Sequence, residues 1–206
     1  LTVAAMATPA ALERVAFEAA EDAREDGCVL AEFRIAPLLF EAHGLAGEAA
    51  VEALLAGLAR SALPSGLIVC AMRHLPESET VRAAKLALRY QGRGVVGFDL
   101  AGAERGHPPA DHARALALCR DAGLPLTLHA GEADSAERVV EAVRLGARRI
   151  GHGVRLVDAL GGLDRAIALD PEWQKALRTA GACAYWAGAR AVAEDYFARA
   201  IKAKTD

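Results

Sequence analysis

Three polar residues stand where apolar runs end, and together they could do hydrolytic chemistry. His129 and Glu132 lie three apart in LTLHAGE, separated by a turn at Ala130-Gly131, and His152 sits between two glycines in RRIGHG. An imidazole at a strand tip with a carboxylate just above it suits one metal ligand plus one proton-transfer group. A neutral histidine close by could orient or deprotonate a water, because its pKa lies near operating pH. A zinc hydrolase needs at least three protein ligands and an open position for water, whose pKa the ion lowers toward ~7. Taken alone, the same residues also fit a hydrogen-bonded His–Glu pair and a structural loop histidine. Asp99, closing GVVGFD, could take part in chemistry or simply hold neighbouring loop N–H groups.

These residues need a scaffold that brings strand ends together. Thr8-Pro9 starts a helix that runs to Gly27, and CVLAEFRIAP follows as a strand closed by Pro37. Helix Gly47–Ser61 and strand Gly66–Arg73 come next, then helix Pro76–Tyr90, whose acidic start and basic end suit the helix dipole. Strand Gly94–Leu100, helix Pro109–Ala122, strand Leu124–Ala130, helix Ser135–Leu145 and a short strand ending at Ile150 complete the alternation. Strands that are apolar nearly throughout, separated by amphipathic helices, predict an α/β fold with a parallel sheet buried by helices. In such folds the loops leaving the carboxyl ends of strands carry function, and Asp99, His129 and His152 all fall there. Glu32 and Arg34 share a face of the first strand, where both charges need partners. Beyond Asp158 the chain is Ala-rich and helical in pattern, and Trp173 and Trp186 read as packing residues.

Composition limits the partners. The 206 residues carry 24 Lys and Arg against 27 Asp and Glu, a formal net charge of −3 with no basic block. That argues against electrostatic capture of nucleic acid or an anionic membrane. Charges interrupt every apolar run short of the ~20 residues of a membrane span. Cys28, Cys70, Cys119 and Cys183 are isolated, without CxxC spacing, as expected of buried thiols in the reducing cytoplasm. His43, His107 and His112 read as surface histidines; His74, after a strand, is a weaker site candidate. Nothing in the sequence fixes the oligomeric state.

AEFRIAP at 31–37, GVVGFDLAGAE at 94–104, LPLTLHAGE at 124–132 and RRIGHGVRL at 148–156 together resemble the metal-dependent adenosine deaminase family of the amidohydrolase superfamily. The resemblance implies a (β/α)8 TIM barrel with zinc at the carboxyl mouth, one domain over 1–206 in which 1–157 carries the match and 158–206 forms a helical part. It implies that His129 is a metal ligand, that Glu132 protonates purine N1, and that His152 positions the attacking hydroxide. Gly102 matches the glycine whose backbone contacts the nucleoside, and Asp99 and Glu104 match flanking acidic positions in supporting roles. The implied reaction converts adenosine or deoxyadenosine to inosine or deoxyinosine plus ammonia, with Zn²⁺ as cofactor. The HxE and PCxxC signature of the cysteine-ligated nucleobase deaminases is absent from the sequence.

The family also carries an HxH pair on its first strand and an Asp-Asp pair after the last, and neither occurs in these residues. The resemblance therefore covers strands two to six of the barrel and leaves strands one, seven and eight without a match. The expectation is that a longer polypeptide supplies them. The alternative is a catalytically inactive barrel fragment that acts as a binding protein.

Overall fold

The computed structural model describes residues 2–156, 158–159 and 190–202. Thr8 caps the helix that its sequence predicts: the Ala11 N–H donates to Thr8 Oγ1 at 3.2 Å, and Pro9 occupies the first turn of α2 (Pro9–Glu25). A one-turn helix, α1 (Thr2–Ala5), precedes it. The chain then alternates through β1 (Ala31–Ile35), α3 (Gly47–Ala59), β2 (Ser65–Met72), α4 (Glu77–Arg89), β3 (Val95–Ala101), α5 (Ala113–Asp121), β4 (Leu126–Ala130), α6 (Glu137–Arg144) and β5 (Ala147–His152). A helix, α7 (Arg190–Lys202), lies farther on, in the region expected to be helical. Trp173, Trp186 and Cys183 fall outside the described residues.

The five strands pair in parallel in the order β1-β2-β3-β4-β5, the arrangement that consecutive right-handed βα units produce. The predicted α/β class holds, as half of a barrel. Leu67, Val69, Ala71, Phe98, Leu100, Leu126, Leu128 and Ala130 are buried in one continuous apolar cluster with α2 to α6. On the other face the period-two placement of Glu32 and Arg34 gives both charges their partners. Arg34 pairs with Asp99 of β3, and Glu32 hydrogen-bonds Arg149 of β5. A flat five-stranded sheet would hold β1 and β5 about 19 Å apart. An ion pair between side chains of those two strands therefore requires the sheet to curl with this polar face inward.

Some local expectations are corrected. The first strand starts at Ala31 rather than Cys28, and Val29 and Leu30 are 86% and 63% exposed, so Cys28 is an exposed thiol, not a buried one. The helix expected from Pro109 opens as a 3₁₀ turn, Pro109–His112, before α5. His112 is buried, not superficial: its Nε2 lies 2.8 Å from the Arg73 carbonyl oxygen and its Nδ1 3.1 Å from Thr80 Oγ1. The imidazole docks the 3₁₀ turn against the end of β2, a role that polar sequence neighbours hide. The last strand continues past Ile150 to include His152.

Gly57 sets how closely α2 and α3 approach. A Cβ there would stand 2.2 Å from the Glu13 carbonyl oxygen and 2.8 Å from Ala16 Cβ. Replacing glycine by alanine in an open helix gains about 1 kcal/mol, whereas overpacking a core costs about 1–3 kcal/mol. Backbone against Cβ leaves little room to relax, so the clash wins. We expect Gly57→Ala to lower urea-unfolding stability by about 1–2 kcal/mol; a gain in stability would show that the helices can separate freely.

Candidate active site

The site is built on the carboxyl ends of β3, β4 and β5. Asp99 of β3 is fully buried, and its carboxylate is surrounded by donors. The His129 backbone N–H donates to Oδ1 at 3.2 Å, His129 Nδ1 lies 2.9 Å from Oδ1 and 2.7 Å from Oδ2, and Arg34 Nη1 reaches Oδ2 at 3.2 Å. Cys70 Sγ completes the set at 3.5 Å; burial, reinforced by the Asp99 charge, pushes its thiol pKa well up, so it stays a protonated donor. A carboxylate can only accept, so Asp99 places the proton on Nδ1 of His129 and leaves the lone pair on Nε2. Arg34 Nη1 is 3.4 Å from that nitrogen. Gly151 leaves the space for this packing: a Cβ there would come within 3.3 Å of the His129 ring and 3.4 Å of Arg34 Nη1.

His152 and Glu132 stand beside His129. The two imidazole centroids are 5.0 Å apart, and His152 Nε2 lies 3.5 Å from Glu132 Oε2, with both side chains about half exposed. His152 adopts φ of +58°, among the described residues the one positive φ outside glycine. The left-handed region costs a non-glycine residue of order 1–2 kcal/mol. The strand end turns inward at this cost, and Gly153 continues the turn with its N–H donating to the Ala130 carbonyl at 3.2 Å. Gly102 follows β3 with φ of +94°, and a Cβ there would meet His74 Nδ1 at 3.0 Å and Met72 Cε at 3.1 Å. The loop therefore presents backbone rather than a side chain.

Glu104 holds the loop that carries Glu132. Its Oε1 accepts the Gly131 N–H at 2.6 Å, and its Oε2 accepts those of Glu132, Ala133 and Asp134 at 2.9, 2.7 and 3.2 Å. Burial alone would push this carboxyl up, but the four backbone donors outweigh it and hold the pKa below the usual carboxylate range. His129, Asp99, Glu104, Glu132 and His152 thus converge from three strand ends, with Gly102 on the adjoining loop. Arg73 was not foreseen. Among the described residues it is the largest fully buried side chain, and its Nη2 donates to the carbonyls of Leu100, at 2.7 Å, and of His129. Its position directly after an apolar strand, in IVCAMR, was the available signal.

As a test of fit to a metal, His129 offers a single oriented donor, Nε2, with its other nitrogen tied to a buried carboxylate as metal-ligating histidines usually are. Among the described residues no group of three or more His, Cys, Asp or Glu is disposed to hold a metal ion. The described residues therefore supply one oriented nitrogen donor and not a complete metal site.

The Glu104 cradle makes a pH prediction. In Glu104→Gln one acceptor oxygen becomes an NH₂ group facing N–H donors, so stability near pH 7 should fall by about 2–3 kcal/mol. Because the folded pKa is depressed, the native carboxylate's contribution is fully present above the unfolded value of about 4.3 and is lost as pH falls through the folded value. Urea titrations of the two proteins should differ by a constant amount from pH 7 to about 5 and converge in more acidic solution. A gap that widened on acidification would contradict the cradle.

Known proteins are similar to this chain in sequence and fold. The profile of the family described as Adenosine deaminase matches residues 1–170. An adenosine deaminase of Mycobacterium ulcerans (strain Agy99) is 46% identical over an alignment covering 82% of this chain and 49% of that protein. The chain thus spans about half the length of the curated relatives it matches. Among solved structures, an amidohydrolase from Burkholderia ambifaria with bound Zn superposes with a TM-score of 0.71 at 28% identity, covering 78% of this chain and 46% of that one. Arabidopsis ADAL complexed with IMP superposes with a TM-score of 0.65 at 26% identity, covering 71% and 46%. Among the described residues, no helix is long and apolar enough to cross a membrane. With the matching motifs gathered at the strand ends of a half-barrel, the chain belongs to the adenosine deaminase family.

Proposed function

We propose that this chain carries the proton-transfer half of a hydrolase that deaminates adenosine or deoxyadenosine. Water adds to C6 of the purine, the C6–N bond breaks, and ammonia and inosine or deoxyinosine leave. The observation that carries the reading is the placement of Glu132 and His152, 3.5 Å apart on separate strand-end loops, beside a His129 whose ring is fixed by buried Asp99. The IMP held by the Arabidopsis neighbour supports a purine ligand and leaves open a substituent on the ribose.

Glu132 is read as the acid that protonates purine N1, drawing electrons from C6. The Glu104 cradle fixes its backbone and leaves the side chain free to face the ligand. His152 is read as the group that orients the attacking water and takes its proton; its contact with Glu132 gives that proton a route toward the departing amine. Gly102 offers backbone to the nucleoside at a point where a Cβ would crowd His74. Asp99 and Glu104 act as supports and do not touch the substrate. His129 would hold the metal through Nε2, and Zn²⁺, when bound, supplies Lewis acidity at neutral pH. The remaining ligands are expected outside the described residues. Cytoplasmic location and a single domain over 1–206 belong to the same proposal.

The test is loss of adenosine absorbance with stoichiometric ammonia release, measured with and without added Zn²⁺. Glu132→Gln and His152→Asn should each lower kcat by about 10²–10⁴-fold. Asparagine tolerates the left-handed backbone at position 152, so the fold should survive. Nucleoside binding without ammonia release, with zinc supplied, would favour the inactive binding protein instead.

A further inference from the structure

Strands β3 and β4 are the two that hold Asp99 and His129, yet they are in ladder register at one pair, Phe98 with Leu126. The flanking seams pair over longer stretches, each with one register shift near its start: β2 and β3 from Leu67 with Val95 to Met72 with Ala101, and β4 and β5 from Leu126 with Ala147 to Ala130 with His152. The sheet therefore parts between β3 and β4 above Phe98, where the site lies. Arg73 spans the gap. Its backbone N–H donates to the Ala101 carbonyl at 2.8 Å, extending the β2–β3 pairing, while its Nη2 joins Leu100 O of β3 to His129 O of β4.

We propose that Arg73 is a positioning residue for His129: its guanidinium stands in for the upper rungs of the β3–β4 ladder and sets the separation across which Asp99 grips the imidazole. Two further observations support this. Arg73 is 1% exposed, and its Nε and Nη1 are buried without a hydrogen-bond partner among the described residues. A buried cation with unused donors is costly, and an apolar residue would fill the same volume without that cost. Its use lies in the two carbonyls, which an apolar side chain cannot join. Second, the Arg73 backbone from which the guanidinium projects is anchored, because its carbonyl oxygen lies 2.8 Å from Nε2 of buried His112, itself 3.1 Å from Thr80 Oγ1. The α4 helix and the 3₁₀ turn before α5 thus hold the clamp in place.

The importance given to His129 rests on the deaminase reading, but the clamp is tested without turnover. In the unaltered chain, NMR couplings across hydrogen bonds are expected from Arg73 Nη2 to the carbonyl carbons of both Leu100 and His129. Absence of either coupling overturns the proposal. In Arg73→Met, the His129 amide, which donates to Asp99 Oδ1, should exchange with solvent at least tenfold faster relative to the Val69 amide in β2 than it does in the unaltered protein. Arg73→Lys, which keeps a cationic donor, should recover a substantial part of that ratio. Leu54→Ala, a core truncation remote from the seam, should leave the ratio unchanged. An unchanged ratio in Arg73→Met, a lysine variant no better than methionine, or an equal change in Leu54→Ala each contradicts the clamp. Should Arg73→Met fail to fold, the lysine variant and the couplings decide. Failure of adenosine turnover leaves these readouts untouched, and their failure leaves the deaminase reading standing.

Discussion

A buried carboxylate with no exposure to water must be satisfied by donors, and Asp99 is satisfied by residues from three other strands. Arg34 comes from β1, Cys70 from β2 and His129 from β4, so one side chain of β3 ties together four of the five strands. Removing Arg34 would take away the cationic partner of a buried carboxylate, which costs more than the net worth of one neutral hydrogen bond. The same constraint fixes the imidazole. With Nδ1 committed to an acceptor, Nε2 is the free nitrogen, and the ring is oriented before any ligand arrives.

The rest of the half-barrel serves this pairing. Helices α2 to α6 cover the apolar face and leave the polar face to curl, drawn together by Glu32 with Arg149 and by Arg34 with Asp99. Where the β3–β4 ladder stops, charged side chains take over. Asp99 receives the His129 amide, Glu104 receives four amides of the following loop, and Arg73 supplies donors to the facing carbonyls. The loop bearing Glu132 is thus held by side-chain acceptors rather than by strand pairing. This lets it leave the sheet toward His152 while its backbone stays ordered.

Much of this was legible in the sequence. Alternating apolar runs and amphipathic helices predict the parallel sheet, because hydrophobic periodicity is a local property. The convergence of His129, Glu132 and His152 follows from their place at strand ends, and the charges of Glu32 and Arg34 forecast partners on that face. The rest depends on contacts between distant segments. His112 looks superficial beside Asp111 and Arg114, yet packs behind Arg73. Arg73 reads as the charged close of a strand, and only the parting of β3 from β4 gives its burial a reason. Cys28 reads as one of several buried thiols, but β1 begins after it and leaves it exposed. The family match extends to residue 170, whereas among the described residues no group of three or more His, Cys, Asp or Glu is disposed to hold a metal ion.

The proposed chemistry depends on the state of one imidazole. Long-range ¹H–¹⁵N NMR of the His129 ring distinguishes its two neutral tautomers directly. The structure predicts a proton on Nδ1 and a lone pair on Nε2, with the proton moving to Nε2 in Asp99→Asn once the acceptor can turn its NH₂ toward the ring. A ring protonated on Nε2 in the unaltered protein would contradict the grip of Asp99, and with it the orientation on which the proposed chemistry depends.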